Sequence, residues 1–248
     1  MNMKHLQSSA ALETIYARIL RLGISQFTLC STQHKAGNSF LSLAVAKRAA
    51  ESGKRVLLIE LNRTTPKLAE LHGLSPLEWL PLTGNWEHAA QESAHAGLLL
   101  LCCPVKSSHC VEFRDQETLK LFFESCASHF DMVICDVEPI LFSKQQMSRD
   151  QFEPEHQRLP VDVICAASEA TVLNVLTGRT TESEIDEARD ILVQSGASLQ
   201  GVIMNDCHAP SLKQELIRET YRLQKPFPRW MAKLRKKIDS TVLLNQEL

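Results

Sequence analysis

The residues best placed to do chemistry form one short run, STQHKAGNSF from Ser31 to Phe40, lying between the apolar stretch FTLC and a segment rich in alanine and leucine. A glycine-containing turn between a buried strand and a helix can curl backbone N–H groups around phosphate, while a lysine reaches the terminal phosphates and a Ser or Thr hydroxyl holds Mg²⁺. Gly37 and Ser39 suit the last glycine and the hydroxyl, but the lysine position between them is Asn38. An amide offers a neutral hydrogen bond and no positive charge, and phosphoryl transfer relies almost wholly on positioning and electrostatics. The chemistry is therefore expected to be severely weakened. His34 and Lys35 stand in the same loop, where they could fold back over an anion or bind one beside a helix N-terminus. Residual nucleotide binding and a plain strand-to-helix turn, with Ser39 as a helix-start hydroxyl, both fit this run. Two carboxylates close apolar runs further on: Glu60 after VLLI and Asp136 after MVIC. Asp136 could orient a metal-bound water or accept backbone N–H bonds at a strand end, and Glu60 could support weak metal binding or sit solvated.

These groups need a frame, and the apolar runs supply one. Phe27–Cys30, Arg55–Ile59, Met132–Cys135 and Val163–Ala166 read as strands covered on both faces, as do Gly97–Cys102 and Gly201–Met204; such strands show continuous runs and not alternation. Between them, Phe40–Ser52, Thr118–His129 and Glu182–Ser195 carry helical periodicity, and Gly53 and Gly196 follow the first and last as helix stops. Strands alternating with helices imply a three-layer α/β sandwich: a mostly parallel, twisted sheet with helices on both faces. Ligands of such sheets bind at the carboxyl ends of the strands, which is where Ser31–Phe40 falls. Ser143–Pro160 is polar and reads as a surface loop or a loop with one short helix, and Trp79 and Trp86 read as packing a small loop-helix cover over the sheet edge, with an exposed binding role as the alternative.

Composition removes other classes. With 27 Lys and Arg against 29 Asp and Glu in 248 residues, the chain has no global charge for nucleic acid. No apolar run approaches the roughly 20 residues of a spanning helix, and the N-terminus lacks the plan of a signal peptide, so a cytoplasmic protein is expected. Most of the eight cysteines sit inside apolar runs as small hydrophobes of a reduced compartment, with no C-x-x-C pair and no metal-ligand spacing.

The order of motifs is specific. STQHKAGNSF leads into LSLAVAKRAAESGKRVLLIELNRTTPKLAELHGL; FDMVICDVEPIL follows, with Asp136 and Pro139; then VDVIC from Val161, a helix with Ala188 and Leu192, and SGASLQGVIMND ending at Asp206. This succession resembles the MinD/ParA group of deviant P-loop NTPases. It is most similar to the cytoplasmic domain of bacterial tyrosine kinases that control capsule and exopolysaccharide export, over about residues 10 to 206. Family members have a loop of the type S-x-x-x-G-E-G-K-S-T and then G-K-x-V-L-L-I-D-x-D-x-R-x-P-x-L, matched here through Gly53, Lys54, Val56 to Ile59, Pro66 and Leu68. The resemblance implies the P-loop NTPase fold. It also implies nucleotide-binding positions at Gln33, His34, Lys35, Gly37, Asn38 and Ser39, metal positions at Ser39 and Asp136, and Asn205 facing a base.

The departures bear on function. The first family glycine is Lys35, the glutamate Ala36, the Walker lysine Asn38, the second hydroxyl Phe40 and the signature lysine near the loop start Gln33. The two aspartates of D-x-D are Glu60 and Asn62, and the only tyrosines are Tyr16 and Tyr221, so the tyrosine cluster such kinases phosphorylate is missing. The pattern implies a pseudoenzyme that binds no cofactor, or ATP or ADP with Mg²⁺ only weakly. Its expected role is as a regulatory or scaffold subunit in surface-polysaccharide (exopolysaccharide, capsule or cellulose) synthesis or export, docked to a protein partner at the inner membrane. The alternatives are an active but divergent ATPase or kinase, and a MinD/ParA-like positioning protein for a flagellum, pilus or secretion complex.

Three regions are expected: an N-terminal helix over 1–22, the P-loop domain over 23–210 and a helical tail over 211–248. In the kinase family the first helix carries Glu and Arg for contacts between subunits. Here ETIYARILR keeps Arg18 and Arg21 as candidate homo-oligomer contacts, although its apolar residues could equally pin the helix to its own domain. In the tail, Phe227, Trp230, Leu234 and Ile238 recur at helical spacing, and six basic residues, among them Lys233, Arg235, Lys236 and Lys237, crowd the thirteen positions from Lys225. A basic amphipathic helix with tryptophan beside the charges suits an anionic surface, and packing on its own domain is the alternative. At about 1 kcal/mol per basic residue, binding to anionic vesicles is expected at low salt, falling as salt rises and vanishing on deletion of 225–248. Full-length protein that fails to float with such vesicles at low salt removes the membrane role.

Overall fold

The computed structural model describes residues 10–141 and 158–206, together with Thr220, Tyr221, Met231 and Ile238. The chain divides into two compact units, Met1–Cys207 and His208–Leu248. In the first unit, helix α1 (Ala10–Arg21) precedes β1 (Gln26–Ser31), α2 (Asn38–Glu51), β2 (Val56–Leu61), α3 (Leu68–His72), α4 (Trp86–Ala89), β3 (Gln91–Glu92) and β4 (Leu98–Leu101). Two 3₁₀ turns lead to α5 (Gln116–His129), β5 (Met132–Pro139), α6 (Val161–Ala167), β6 (Ala170–Leu176), α7 (Glu182–Gln194) and β7 (Leu199–Asn205). The seven strands lie in the order β3-β4-β2-β5-β1-β6-β7, all parallel except the short β3 against β4.

Continuous apolar strands are buried on both faces because each face carries its own core. Leu57, Ile59 and Leu61 of β2 join Val133, Cys135 and Val137 of β5 beneath α5 and α6, while Val56, Leu58, Met132 and Ile134 face α1 and α2 on the other side. This is the three-layer arrangement expected. Six of the seven described cysteines are buried and all seven are free thiols. Burial, with the nearby Glu60 carboxyl adding to it, pushes the Cys102 thiol up to about 12, as suits a core residue and not a nucleophile.

One segment departs from its expected conformation. Val163–Ala166 reads as a strand, yet Val161–Ala167 is a helix that buries Val161, Ile164, Cys165 and Ala167. That i, i+3, i+4 spacing is helical, and a seven-residue apolar run cannot be typed by hydrophobicity alone. The strand of this region is β6, ATVLNVL, wholly buried between β1 and β7, where the polar Asn174 interrupts the apolar signal. The other expected strands and helices form, with ends shifted by a few residues, but Gly201–Met204 is not covered on both faces: it belongs to the edge strand β7, where half-buried and exposed residues alternate and Val202 and Met204 are exposed.

Helix α1 lies on α2 through Leu12, Tyr16 and Ile19, all buried. Tyr16 donates to or accepts from Ser52 Oγ at 2.6 Å, the Arg48 guanidinium stacks 5.0 Å over its ring, and Glu13 pairs with Arg48. Arg18 and Arg21 are exposed on the opposite side. Of the second unit only four residues are described, so Trp230, Lys233, Arg235, Lys236 and Lys237 lie outside the described residues, as does most of the polar stretch Ser143–Pro160. No helix among the described residues is long and apolar enough to cross a membrane.

Trp79 closes the sheet edge as the tryptophan reading anticipates. It is 2% exposed, its indole N–H donates to Cys102 O at 2.8 Å, and its ring meets Phe113 and Phe122 at 5.0 and 5.3 Å. Trp79→Ala should cost about 3–5 kcal/mol in denaturant unfolding, and Trp79→Phe about 1–2, the lost hydrogen bond and indole volume. A loss below about 1 kcal/mol for the alanine variant would show that this cover packs independently of the core.

Candidate functional site

The loop after β1 has the backbone of a phosphate-binding loop. Gly37 (φ 77°) stands at the N-cap of α2, and Lys35 (φ 62°) is the one non-glycine residue with positive φ among the described residues. A side chain in the left-handed region costs about 1 kcal/mol or more, so something must hold the loop there. Asn174 and Asn205 both donate their side-chain amides to Ala36 O, at 3.0 and 2.8 Å. At the other end of the loop, Thr180 Oγ1 accepts from the Gln33 amide at 2.9 Å and meets Thr32 Oγ1 at 3.2 Å.

Asn38, at the lysine position, turns inward. Its amide nitrogen donates to Leu29 O at 2.8 Å, to Asp136 Oδ1 at 2.7 Å and, more distantly, to Val137 O at 3.4 Å. The side chain thus bolts the start of α2 to the ends of β1 and β5. Asp136 is wholly buried, and Oδ2 has no partner in hydrogen-bonding geometry among the described residues. Burial raises its carboxyl to about 7; Ser39 favours the charged form, the neighbouring Glu60 opposes it, and Asn38 and Ser42 favour it. Glu60 faces Asp136 in register across β2 and β5. It too is wholly buried and shifted upward by desolvation, with Oε1 accepting from the backbone N–H groups of Lys67 and Leu68 at 2.6 and 2.9 Å. A third buried acid, Glu138, lies two residues beyond Asp136 and accepts from the N–H groups of Arg63 and Thr64, both at 3.0 Å.

Of the residues expected to form a site, Asn38, Ser39, Asp136 and Glu60 converge at the carboxyl ends of β1, β2 and β5. Gln33 and Asn205 border the loop, but their amides are engaged with Thr180 and Ala36. Lys35 is exposed at the crest and His34 is half-buried. Arg18 and Arg21 belong to α1, outside this cluster. Sequence reasoning missed Glu138, Asn174 and Thr180. Glu138 could have been found from its spacing of two from Asp136, which puts both on one face of a strand. Asn174 could have been found as a polar break in a buried run.

No protein-family model and no curated protein sequence matches the chain. Solved structures do. The kinase domain of the Escherichia coli tyrosine kinase ETK superposes with a TM-score of 0.61 at 18% identity, over 78% of this chain and 71% of that one. The BceF tyrosine kinase domain gives 0.60 at 23% identity over 82% and 76%. The septum site-determining protein MinD of Pyrococcus horikoshii, complexed with Mg-ADP, gives 0.57 at 15% identity over 75% and 71%. The chain has the P-loop NTPase fold.

That fold implies Mg²⁺ with a nucleoside triphosphate, and the donor set is a poor match to it. Among the described residues no group of three or more His, Cys, Asp or Glu is arranged to hold a metal ion. Mg²⁺ retains several waters and wants ionised, accessible oxygens, whereas Asp136 and Glu60 are fully buried and disfavoured as anions. The cation that phosphate would need is also missing from the site, with Asn38 at the lysine position and Lys35 exposed at the loop crest.

The Asp136 shift makes a stability prediction. Its carboxyl titrates near 7 in the folded chain against an ordinary value near 3.8, so between those limits the native state keeps a proton that the unfolded chain releases. The stabilisation is complete below about pH 4 and is lost as pH rises through about 7, amounting to something on the order of 4 kcal/mol. Asp136→Asn, a neutral near-isostere that can still accept from Asn38, should flatten unfolding free energy against pH between about 4 and 7, leaving the slope in the same direction that Glu60 contributes. Parallel curves for variant and parent would show that Asp136 is ionised throughout.

Proposed function

We propose that this chain is a catalytically impaired P-loop protein that acts as a scaffold or regulatory subunit of a bacterial surface-polysaccharide synthesis or export system. The observation that carries the reading is the inward-turned Asn38, whose amide is spent on Leu29 O, Asp136 and Val137 O where phosphoryl transfer requires a cation. The polysaccharide assignment rests on the motif order, which resembles tyrosine kinases of capsule and exopolysaccharide export, and on the shared fold of tyrosine kinase domains. A chain without turnover contributes through its surfaces, so its partners are proteins of the same machinery, and Arg18 and Arg21 are available for contacts with a second copy.

Purified protein in equilibrium dialysis should show no saturable binding of ATP with Mg²⁺ at concentrations up to about 1 mM. Asn38→Lys alone should release no phosphate above the parent, because Lys35, Ala36, Glu60 and Asn62 leave the cradle and metal side incomplete. Micromolar binding with turnover would make the chain a working ATPase. In the host, loss of the chain should reduce surface polymer, and a chain carrying Asp136→Asn should restore it; unaltered polymer on deletion would remove the polysaccharide assignment.

A further inference from the structure

Away from the loop after β1, one charged side chain is buried without an acceptor. Lys47 lies in α2, about 13 Å along the helix axis from Asn38. It is 6% exposed, yet its amine meets no acceptor within hydrogen-bonding or ion-pair distance among the described residues. The buried acids differ in this respect, since Glu60 and Glu138 each accept from two backbone N–H groups and Asp136 accepts from Asn38. An ammonium has three donors and no acceptor, and taking it out of water is costly unless oxygens meet it. Burial accordingly lowers the Lys47 pKa, against the opposing pull of the exposed Glu51 one turn further along α2.

Two histidines approach the same part of α2 from separate elements. His72 closes α3, whose Leu68 shares a core with Val45, Ala46 and Ala49 of α2. His95 belongs to the turn between β3 and β4, where its N–H donates to Ser93 Oγ at 3.0 Å and its carbonyl accepts from Leu98 N at 3.1 Å. That turn abuts the end of α2: a Cβ on Gly97 would come within 3.1 Å of Lys54 O and 3.8 Å of Ala50 Cβ. Burial depresses the pKa of both imidazoles and the Lys47 charge depresses both further, with His95 adding to this at His72 and Glu51 opposing it at His95.

Three groups that carry positive charge when protonated, from α2, α3 and the β3–β4 turn, thus lie within reach of one another's charge, and an anion among them relieves both the repulsion and the unmet amine. We propose that Lys47, His72 and His95 form a binding site for a phosphate group, carried by inorganic phosphate or by a small phosphomonoester. Phosphate suits donors arriving from three elements because its oxygens are arranged tetrahedrally, whereas the two oxygens of a carboxylate share one plane. The site is separate from the loop after β1 and stands whether or not the chain hydrolyses ATP. It offers the protein a small-molecule input that does not pass through the nucleotide loop.

Proton NMR of the histidine ring signals of the full chain tests this, with His72→Gln and His95→Gln identifying the two signals. Inorganic phosphate, exchanged for chloride at constant ionic strength, should shift both signals with saturation at about 1–20 mM and raise both pKa values. His88, exposed on α4, should not respond. Lys47→Met, which keeps the buried methylenes and removes the amine, should weaken binding about tenfold or more. Methyl phosphate acting as inorganic phosphate does would assign monoesters to the site, and a response to inorganic phosphate alone would assign the free ion. No saturating shift up to about 50 mM, equal binding by Lys47→Met, or acetate binding as tightly as phosphate would overturn the phosphate site. Should Lys47→Met not fold, the phosphate and acetate titrations of the unmodified chain still decide.

Discussion

The contact on which the rest of the site depends is the amide of Asn38 with Leu29 O and Asp136 Oδ1. It joins the first turn of α2 to two neighbouring strands, one of which carries the loop and the other two of the buried acids. A typical hydrogen bond contributes about 1 kcal/mol net, but breaking this one would strand a fully buried carboxyl and a strand carbonyl, each costing about 1–3 kcal/mol. The asymmetry explains why an asparagine here is more than a missing lysine. A lysine would carry its charge past the strand ends toward the loop, whereas the shorter amide satisfies the strand ends themselves.

The same logic governs the acids. Three carboxyl groups at the ends of adjacent strands would repel one another if all were ionised and dry. Two accept from backbone N–H groups, Glu60 at α3 and Glu138 at the turn before it, and burial shifts the third toward its protonated form. The extra methylene of Glu60 relative to an aspartate gives its oxygen the reach to meet Lys67 and Leu68. Buried in this way, the side chains act as structural acceptors, and the upward shift of the Asp136 carboxyl favours the fold more at low pH than at high.

Most of this frame was legible beforehand, for physical reasons that also mark where legibility stops. Strands such as VLLIEL and MVICD announce themselves because a strand covered on both faces tolerates only apolar residues until its end, so the carboxylates that close them were visible as site candidates. α6 and β6 were not, because VDVICAA is too short for its period to be read and Asn174 breaks the apolar run of the true strand. Asn38 could be seen as a lost cation but not as a gained bolt. Its partners Leu29 O and Val137 O are main-chain atoms, and no sequence pattern records which carbonyl a side chain reaches. Thr180 was invisible for a similar reason: it acts on a loop more than a hundred residues away in the chain.

The turn after β1 is held against a local cost. Lys35 holds a positive φ that suits glycine, at a cost of about 1 kcal/mol. The turn persists because its geometry has a second use: it delivers Ala36 O to two amides and Asn38 to the strand ends, and it starts a helix whose buried residues pack the sheet from Leu41 to Ala49. Relaxing Lys35 into an ordinary conformation would move each of these anchors. The shape of the loop is therefore maintained by packing and hydrogen bonding that need no phosphate.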